Sequence, residues 1–427
     1  MVEYPRSQVM KVAAGSVIGT TIEWYDFFLY GYIAALVFPK IFFPPGYSQV
    51  AATILSLSTY AVGFVARPIG AMIFGHIGDR SGRRTGLLWD LVLMGIASLI
   101  IGLLPGYQVL GFGSLVIAAL MRVLQGIGVG GEWGGATTWL TEYASQSKWR
   151  AFWGSWVQQG VPIGLLWASG MISIMSVNSD FFYSVGWRIP LFLGAIAAVA
   201  GIVIRLFLLE SPLFERTKSE GKIEKMPSVK AWTRYWKLIL LLAFSWAAQN
   251  ASFYLYGTYA VDYQATLGMP KTLSSFAVTI ASVISIFILI GFAILGDKIG
   301  RKQAMIIAFS WGLVFSFPYV LLIKQLDFGT TVLAQILMSI ASIGSYSVLP
   351  AFFAESFPTQ VRYSGAGLSY HMAAPFAGGL APIITEALVG PNPSAYWYWF
   401  STVFAVYFAI SLVALMIVRD TKDKVME

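Results

Sequence analysis

Two carboxylates, Glu23 and Asp26, stand three residues apart in "TIEWYDFFLYG", Thr21–Gly31, inside an apolar run from about Val9 to Phe38. A carboxylate at the centre of a membrane helix costs about 2.5–3.5 kcal/mol on insertion scales. Residues three apart share a helix face, so both acids point the same way. Intramembrane acids usually face the bundle interior or water and mark ion pathways. Proton uptake and release is therefore the chemistry expected here, with Asp26, nearer mid-span, as the carrier. The alternative is an ion pair with an arginine of another helix, a role that suits Glu23.

Further polar side chains lie in apolar runs. Arg67 precedes Pro68, and Arg122 sits deep in a later run. A guanidinium is a planar fork matched to a carboxylate, so both are expected to bind an anionic substrate or to control the acids. For Arg67 the alternative is snorkelling towards the nearby loop. Glu132, ten residues after Arg122 on the same run, is either a second proton site or the partner of an arginine elsewhere. Gln158, Gln159, Gln249 and Asn250 could contact substrate or join helices. Trp24, Tyr25, Tyr254, Tyr256 and Tyr370 are candidate cavity aromatics, although most aromatics in such a chain pack. His371, beside Tyr370, is expected to be a packed neutral histidine. With two His and no Cys, no metal site is expected.

The elements that must position these groups are membrane helices. The chain is 57% hydrophobic and 11% charged over 427 residues, whereas a soluble domain carries about a quarter charged residues. A span needs about 20 apolar residues, and twelve such runs can be marked. A polar stretch, "ESPLFERTKSEGKIEKMPSVK", divides them into two sets of six. The predicted organisation is a six-helix half at 1–209, a linker at 210–236 and a second half at 237–427. With both termini placed in the cytoplasm, 22 of the 28 Lys and Arg fall on the inner side and only Lys40, Arg188, Lys271 and Lys324 on the outer side. That bias obeys the positive-inside rule. It accounts for the net charge of +8 without a nucleic-acid partner.

The two sets repeat one pattern. "GHIGDRSGRR" follows the second run and "AILGDKIGRK" the eighth, with Asp79 and Asp297 218 residues apart. "TEYASQSKWR" follows the fourth and "AESFPTQVR" the tenth, with Glu142 and Glu355 213 apart. Parallel repeats of this kind are a transporter architecture, with the site between them near mid-membrane. The run "GIGVGGEWGGA" lacks the preceding strand and the following acid of a dinucleotide fingerprint; its small residues suit close helix packing.

"GHIGDRSGRR" resembles the loop signature of the major facilitator superfamily. "EWYDFFLYG", "ARPIGAMIFGHIGDRSGRR", "RVLQGIGVGGEWGGA", "ESPLFE" and "FPTQVRYSG" together resemble its metabolite–proton symporter branch, whose members carry organic acids, proline and betaine. "ESP" and "FPTQVR" also resemble elements of sugar porters. The resemblance implies an all-α protein of twelve transmembrane helices in two pseudo-symmetric halves, working by alternating access. It implies that Asp79 and Arg83 latch the halves in the outward-open state. Gly75, Glu142, Arg150, Asp297, Arg301, Glu355 and Arg362 belong to the same loop motifs. Ala293 stands in the second copy where Gly75 stands in the first, so the second latch is expected to be weaker. Asp90 is an acid without an assigned role.

The expected function is proton-driven symport of a small organic acid or zwitterion across the cytoplasmic membrane, with a sugar as the rival cargo. The expected partners are that metabolite, protons and the bilayer; no cofactor beyond the proton gradient and no oligomer are expected. An enzyme would need a catalytic constellation, and a primary pump a phosphate-binding loop; the sequence has neither. A channel would need filter elements in place of duplicated loop motifs.

Overall fold

The computed structural model describes residues 5–390 and 392–426. Twelve long helices run through it: α1 (Arg6–Leu36), α2 (Gln49–Ser81), α3 (Arg83–Leu103), α4 (Gly113–Tyr143), α5 (Arg150–Met175), α6 (Arg188–Leu206), α7 (Pro227–Thr266), α8 (Lys271–Ile299), α9 (Arg301–Ile323), α10 (Phe328–Ser356), α11 (Thr359–Val389) and α12 (Trp397–Ile417). No strand occurs among the described residues. The polar stretch between the halves holds one short helix, Pro212–Ser219. The rest of the expected linker differs from the prediction. From Pro227 it is already helix, because proline is favoured in a first helical turn and the basic residues that follow solvate the end of α7.

Local chemistry sets the breaks. The α2–α3 corner turns at Gly82 (φ 115°, ψ 148°), and the α8–α9 corner turns at Gly300 (φ 119°, ψ 150°). Only glycine takes such a conformation without strain, so the two loop motifs impose the same corner on both halves. Ser48 and Asp327 cap α2 and α10 by accepting from Ala51 N (3.4 Å) and Thr330 N (2.9 Å). The glycines of α4 bring it into backbone contact with α2. A Cβ at Gly126 would lie 2.3 Å from Gly63 O, and one at Gly130 2.2 Å from Arg67 O. Packing, not nucleotide binding, explains that run.

Two spans of the second half widen by one residue per turn, α7 at Leu255–Tyr259 and α11 at Ala374–Gly379. Such π turns free backbone groups and often mark functional sites. Both lie near the interface between the halves, where Gly378 packs on the Asn250 side chain.

Candidate functional site

At the end of the bundle that carries the loop motifs, the halves are bolted together twice. Asp79 accepts from Tyr363 N (3.1 Å) and Ser364 N (2.9 Å) at the start of the helical part of α11. Asp297 accepts from Ala151 N and Phe152 N, both at 2.9 Å, at the start of α5. Each acid thus caps a helix of the opposite half, where free N–H groups and the helix dipole favour a negative charge. Gly75 lets the halves meet, since a Cβ there would lie 2.7 Å from Ser364 Cα.

Behind each acid sits a buried ion-pair network. Arg83 is bidentate to Glu142 (3.1 and 3.0 Å) and reaches Asp79 at 2.8 Å and Thr359 O at 2.7 Å. Arg362, from the other half, adds a 2.6 Å bond to Glu142. In the second copy Arg301 is bidentate to Glu355 (3.2 and 3.0 Å) and lies 3.2 Å from Asp297, while Arg150 crosses over to within 3.4 Å of Glu355. The repeat goes further than the motifs suggested. Glu210 accepts from Arg83 N (2.9 Å) and Ser211 Oγ donates to Glu142; Asp420 accepts from Arg301 N (3.2 Å) and Thr421 Oγ1 donates to Glu355 (2.5 Å). The sequence holds these pairs only as "ES" and "DT", too short a likeness to find unaided. The expected weakness of the second copy has no counterpart in its bonds to α5, which are as short as those of the first copy to α11.

At the middle of the bundle, Tyr370 of α11 is stacked between Trp133 of α4 (centroids 3.9 Å, planes 11° apart) and Trp246 of α7 (4.3 Å, 11°). Its hydroxyl is hydrogen-bonded to that of Tyr346 at 2.8 Å. Trp133 Nε1 donates to Gln158 Oε1 (3.0 Å), and Gln158 Nε2 donates to Tyr346 O (3.1 Å). Side chains of both halves therefore close one polar and aromatic layer. Beside it lies a cavity of about 20 Å³, lined by Trp24 and Val161 of the first half and by Gln249, Asn250, Phe253, Tyr254, Tyr346 and Tyr370 of the second. Ligand pockets span about 300–1,000 Å³, so this is a closed state of the site.

Away from the loop-motif end, the buried charges among the described residues all belong to the first half. Among the described residues Glu23 makes no ion pair, and its Oε2 is buried without a hydrogen-bond partner. Arg67 lies over Phe27 (4.4 Å), Phe64 (4.8 Å) and Trp24 (5.8 Å), and Trp24 lines the cavity. It is 3% exposed and does not snorkel. Asp26 faces the other way, into the bundle of its own half. It accepts from Ser98 Oγ, which accepts from Gln125 Nε2 (2.7 Å); Gln125 Oε1 in turn accepts from Arg122 (3.3 Å). Arg122 is ringed by Phe27, Tyr30 and Tyr60 at 4.6–4.7 Å.

Part of the expected binding set lies away from this cavity. Arg122 points into a cage of rings, not into the cavity. Tyr25 donates to Pro190 O (2.7 Å) and stacks on Trp167, away from the other half. Gln158, not the half-buried Gln159, joins the halves. Helix rotation decides each case. Gln249, Asn250, Tyr254 and Tyr370 do line the cavity. His371 is fully buried edge-on to Tyr370 (4.9 Å, 84°).

Glu132 has an arginine partner that sequence reasoning passed over. Arg205, counted among the basic residues of the inner side, is 1% exposed. It donates to Glu132 and to Leu87 O (2.5 Å) and approaches Asp90 at 3.5 Å. Asp90 thereby gains a role. Gly19 makes room for this triad, since a Cβ there would lie 1.7 Å from Arg205 Nη2. The signal in the sequence was an unpaired acid, Asp90, in an apolar run.

Two six-helix halves bolted at one end and closed over a small central cavity define a secondary transporter of the major facilitator fold. Residues 12–235 and 215–424 match the model of the sugar (and other) transporter family, and the chain belongs to it. It is 36% identical to the inner membrane metabolite transport protein YhjE of Escherichia coli, over 97% of this chain and 95% of that protein. It is 32% identical to the shikimate transporter of the same organism (97% and 96%) and 30% identical to its alpha-ketoglutarate permease (96% and 93%). Among solved structures, the proton:xylose symporter XylE bound to 6-bromo-6-deoxy-D-glucose matches in fold, with TM-score 0.80, 18% identity and coverage of 99% and 98%. The chain is a multi-pass membrane transporter, not an enzyme.

Proposed function

We propose that this transporter is a proton-coupled symporter of a small organic acid or zwitterion, with both termini in the cytoplasm. The observation that carries the reading is a charge imbalance. Four buried carboxyls (Glu23, Asp26, Asp90, Glu132) share the first half with three buried guanidiniums (Arg67, Arg122, Arg205), and among the described residues the spans of the second half bury no charged side chain away from the loop-motif end. Buried charge is tolerated when paired, so one proton brings this group to neutrality.

Asp26 is the proposed carrier. It touches no guanidinium directly, and the Ser98–Gln125 relay ties it to Arg122, so its charge state can alter how α1, α3 and α4 pack. Arg67, which lies against the cavity-lining Trp24, and Glu23, the residue before Trp24 in α1, are the groups proposed to meet the substrate, with Arg67 taking its carboxylate. Glu132 is then a fixed partner of Arg205. Proton and substrate binding in one half would release the caps at Asp79 and Asp297 in concert, and the halves would rock about the central layer.

A neutral sugar is the second reading. The likeness to XylE and the absence of a charged side chain among those lining the closed cavity support it. Uptake into proteoliposomes under an imposed pH gradient tests both. Accumulation of carboxylic acids or betaines that collapses with the gradient supports the first reading; accumulation of pentoses or hexoses alone overturns it.

A further inference from the structure

A second, larger cleft opens at the loop-motif end, beside the α5–α8 contact. It has a volume of about 560 Å³ and is lined by Lys148 of the α4–α5 loop, by Arg150 at the start of α5, by Arg301 at the start of α9, and by Lys422 and Lys424 of the C-terminal segment. Two acids, Asp297 and Asp423, share it. Asp297 is committed to Ala151 N, Phe152 N and Arg301. Glu355 beneath the cleft is taken by Arg301 and Arg150. Among the described residues no carboxylate pairs with Lys148, Lys422 or Lys424. The Lys422 and Lys424 ammoniums donate only to backbone carbonyls, Lys298 O (2.5 Å) and Ser356 O (3.3 Å). Five Lys and Arg side chains against two Asp in the lining leave this corner with an excess of positive charge.

The matching place in the first copy is filled. Phe214, on the Pro212–Ser219 helix, covers Arg83 at 5.2 Å. In the second copy the chain after Thr421 runs as turns and leaves the cleft.

We propose that this cleft binds a phosphate-bearing anion. Three lysines on two chain segments, Lys148, Lys422 and Lys424, have no carboxylate partner among the described residues and can converge on one such group, with Arg150 and Arg301 behind them; charge-assisted bonds to phosphate are short and strong. The lining has no aromatic ring and a single large apolar side chain, Val425, which suits a compact inorganic phosphate or a lipid headgroup and not a nucleobase. Lys148 belongs to the first half, and Arg301, Lys422 and Lys424 to the second. A bound anion therefore bridges the halves and holds this end shut, because a ligand shifts a population by its differential affinity for the two states.

The test uses the full chain and needs no transported substrate, so it stands apart from the symport reading. In a neutral detergent, millimolar pyrophosphate should raise the melting temperature by several degrees, beyond sodium chloride at matched ionic strength. In nanodiscs, phosphatidylglycerol should stabilise the protein relative to phosphatidylcholine if the source is a lipid. The variant carrying Lys148→Gln, Lys422→Gln and Lys424→Gln should fold, melt near wild type without anion, and lose at least tenfold in apparent affinity. Stabilisation by pyrophosphate alone assigns a soluble anion, and by phosphatidylglycerol alone a headgroup. No shift from either, or an equal shift in the triple variant, overturns the proposal.

Discussion

Asp79 and Asp297, in different halves, do the same thing to each other's half: each caps the first turn of a helix on the far side of the interface. The two caps and the ion pairs behind them hold the loop-motif end closed. Opening that end must break four backbone-to-carboxylate bonds that neither half can replace from within.

The reciprocity predicts matched effects. Removing an N-cap acceptor costs about 0.5–2 kcal/mol, and 1–2 kcal/mol is a factor of roughly 5–30 in an equilibrium. Asp79→Ala and Asp297→Ala should each raise the population open at this end by a factor in that range. The chain has no cysteine, so single cysteines placed along α5 and α11 report accessibility to a thiol reagent. A change at Asp79 with none at Asp297 would restore the unequal latches expected from Ala293.

Asp26→Asn should abolish accumulation driven by a pH gradient while leaving counterflow exchange of labelled substrate, which moves no net proton. The serine relay makes a second forecast. Ser98→Ala removes the bond to Asp26 and should shift the pH midpoint of uptake without abolishing accumulation. Uphill uptake by Asp26→Asn at the wild-type level would move the coupling role to Glu23 or to the Asp90–Glu132 pair.

Recognition should follow Arg67. A hydrogen bond to a charged group contributes about 1.5–3 kcal/mol, or roughly one to two decades of affinity. Arg67→Lys keeps the charge but loses the fork, so a carboxylate substrate should bind about 10- to 100-fold more weakly, with its amide little affected. Arg122→Lys should leave affinity nearly intact and alter the pH dependence instead. Calorimetric titration of both variants decides, and the reverse pattern would return the carboxylate to Arg122.

Gly19→Ala should be severe. Its Cβ would meet Arg205 and Glu132, and separating a buried pair costs about 3–5 kcal/mol. A melting temperature well below wild type is expected. Gly170→Ala, with open space around it, is the control and should melt like wild type. Similar melting for the two would mean that the triad tolerates displacement.

Hydropathy by itself marked the twelve spans and the division into halves, and the repeated sequence marked the paired loop motifs. These are legible because each depends on neighbours along the chain: a span is a run of apolar residues, and a corner such as Gly82 needs its glycine locally. The presence of costly intramembrane charges was equally legible. Their partners were not. Arg205 looked like a loop charge because it stands near the end of its run, yet α6 turns it inward past Gly19 onto Glu132 and Asp90. Arg67 and Arg122 looked alike, and the orientations of α2 and α4 set Arg67 beside Trp24, which lines the cavity, and Arg122 among Phe27, Tyr30 and Tyr60. Glu23 and Asp26 share one face of a helix, but only the packing of neighbouring helices brings Ser98 of α3 onto Asp26. Pairing across a bundle is fixed by helix rotation and by the close approaches that glycines permit, and both are set by contacts between residues far apart in the chain.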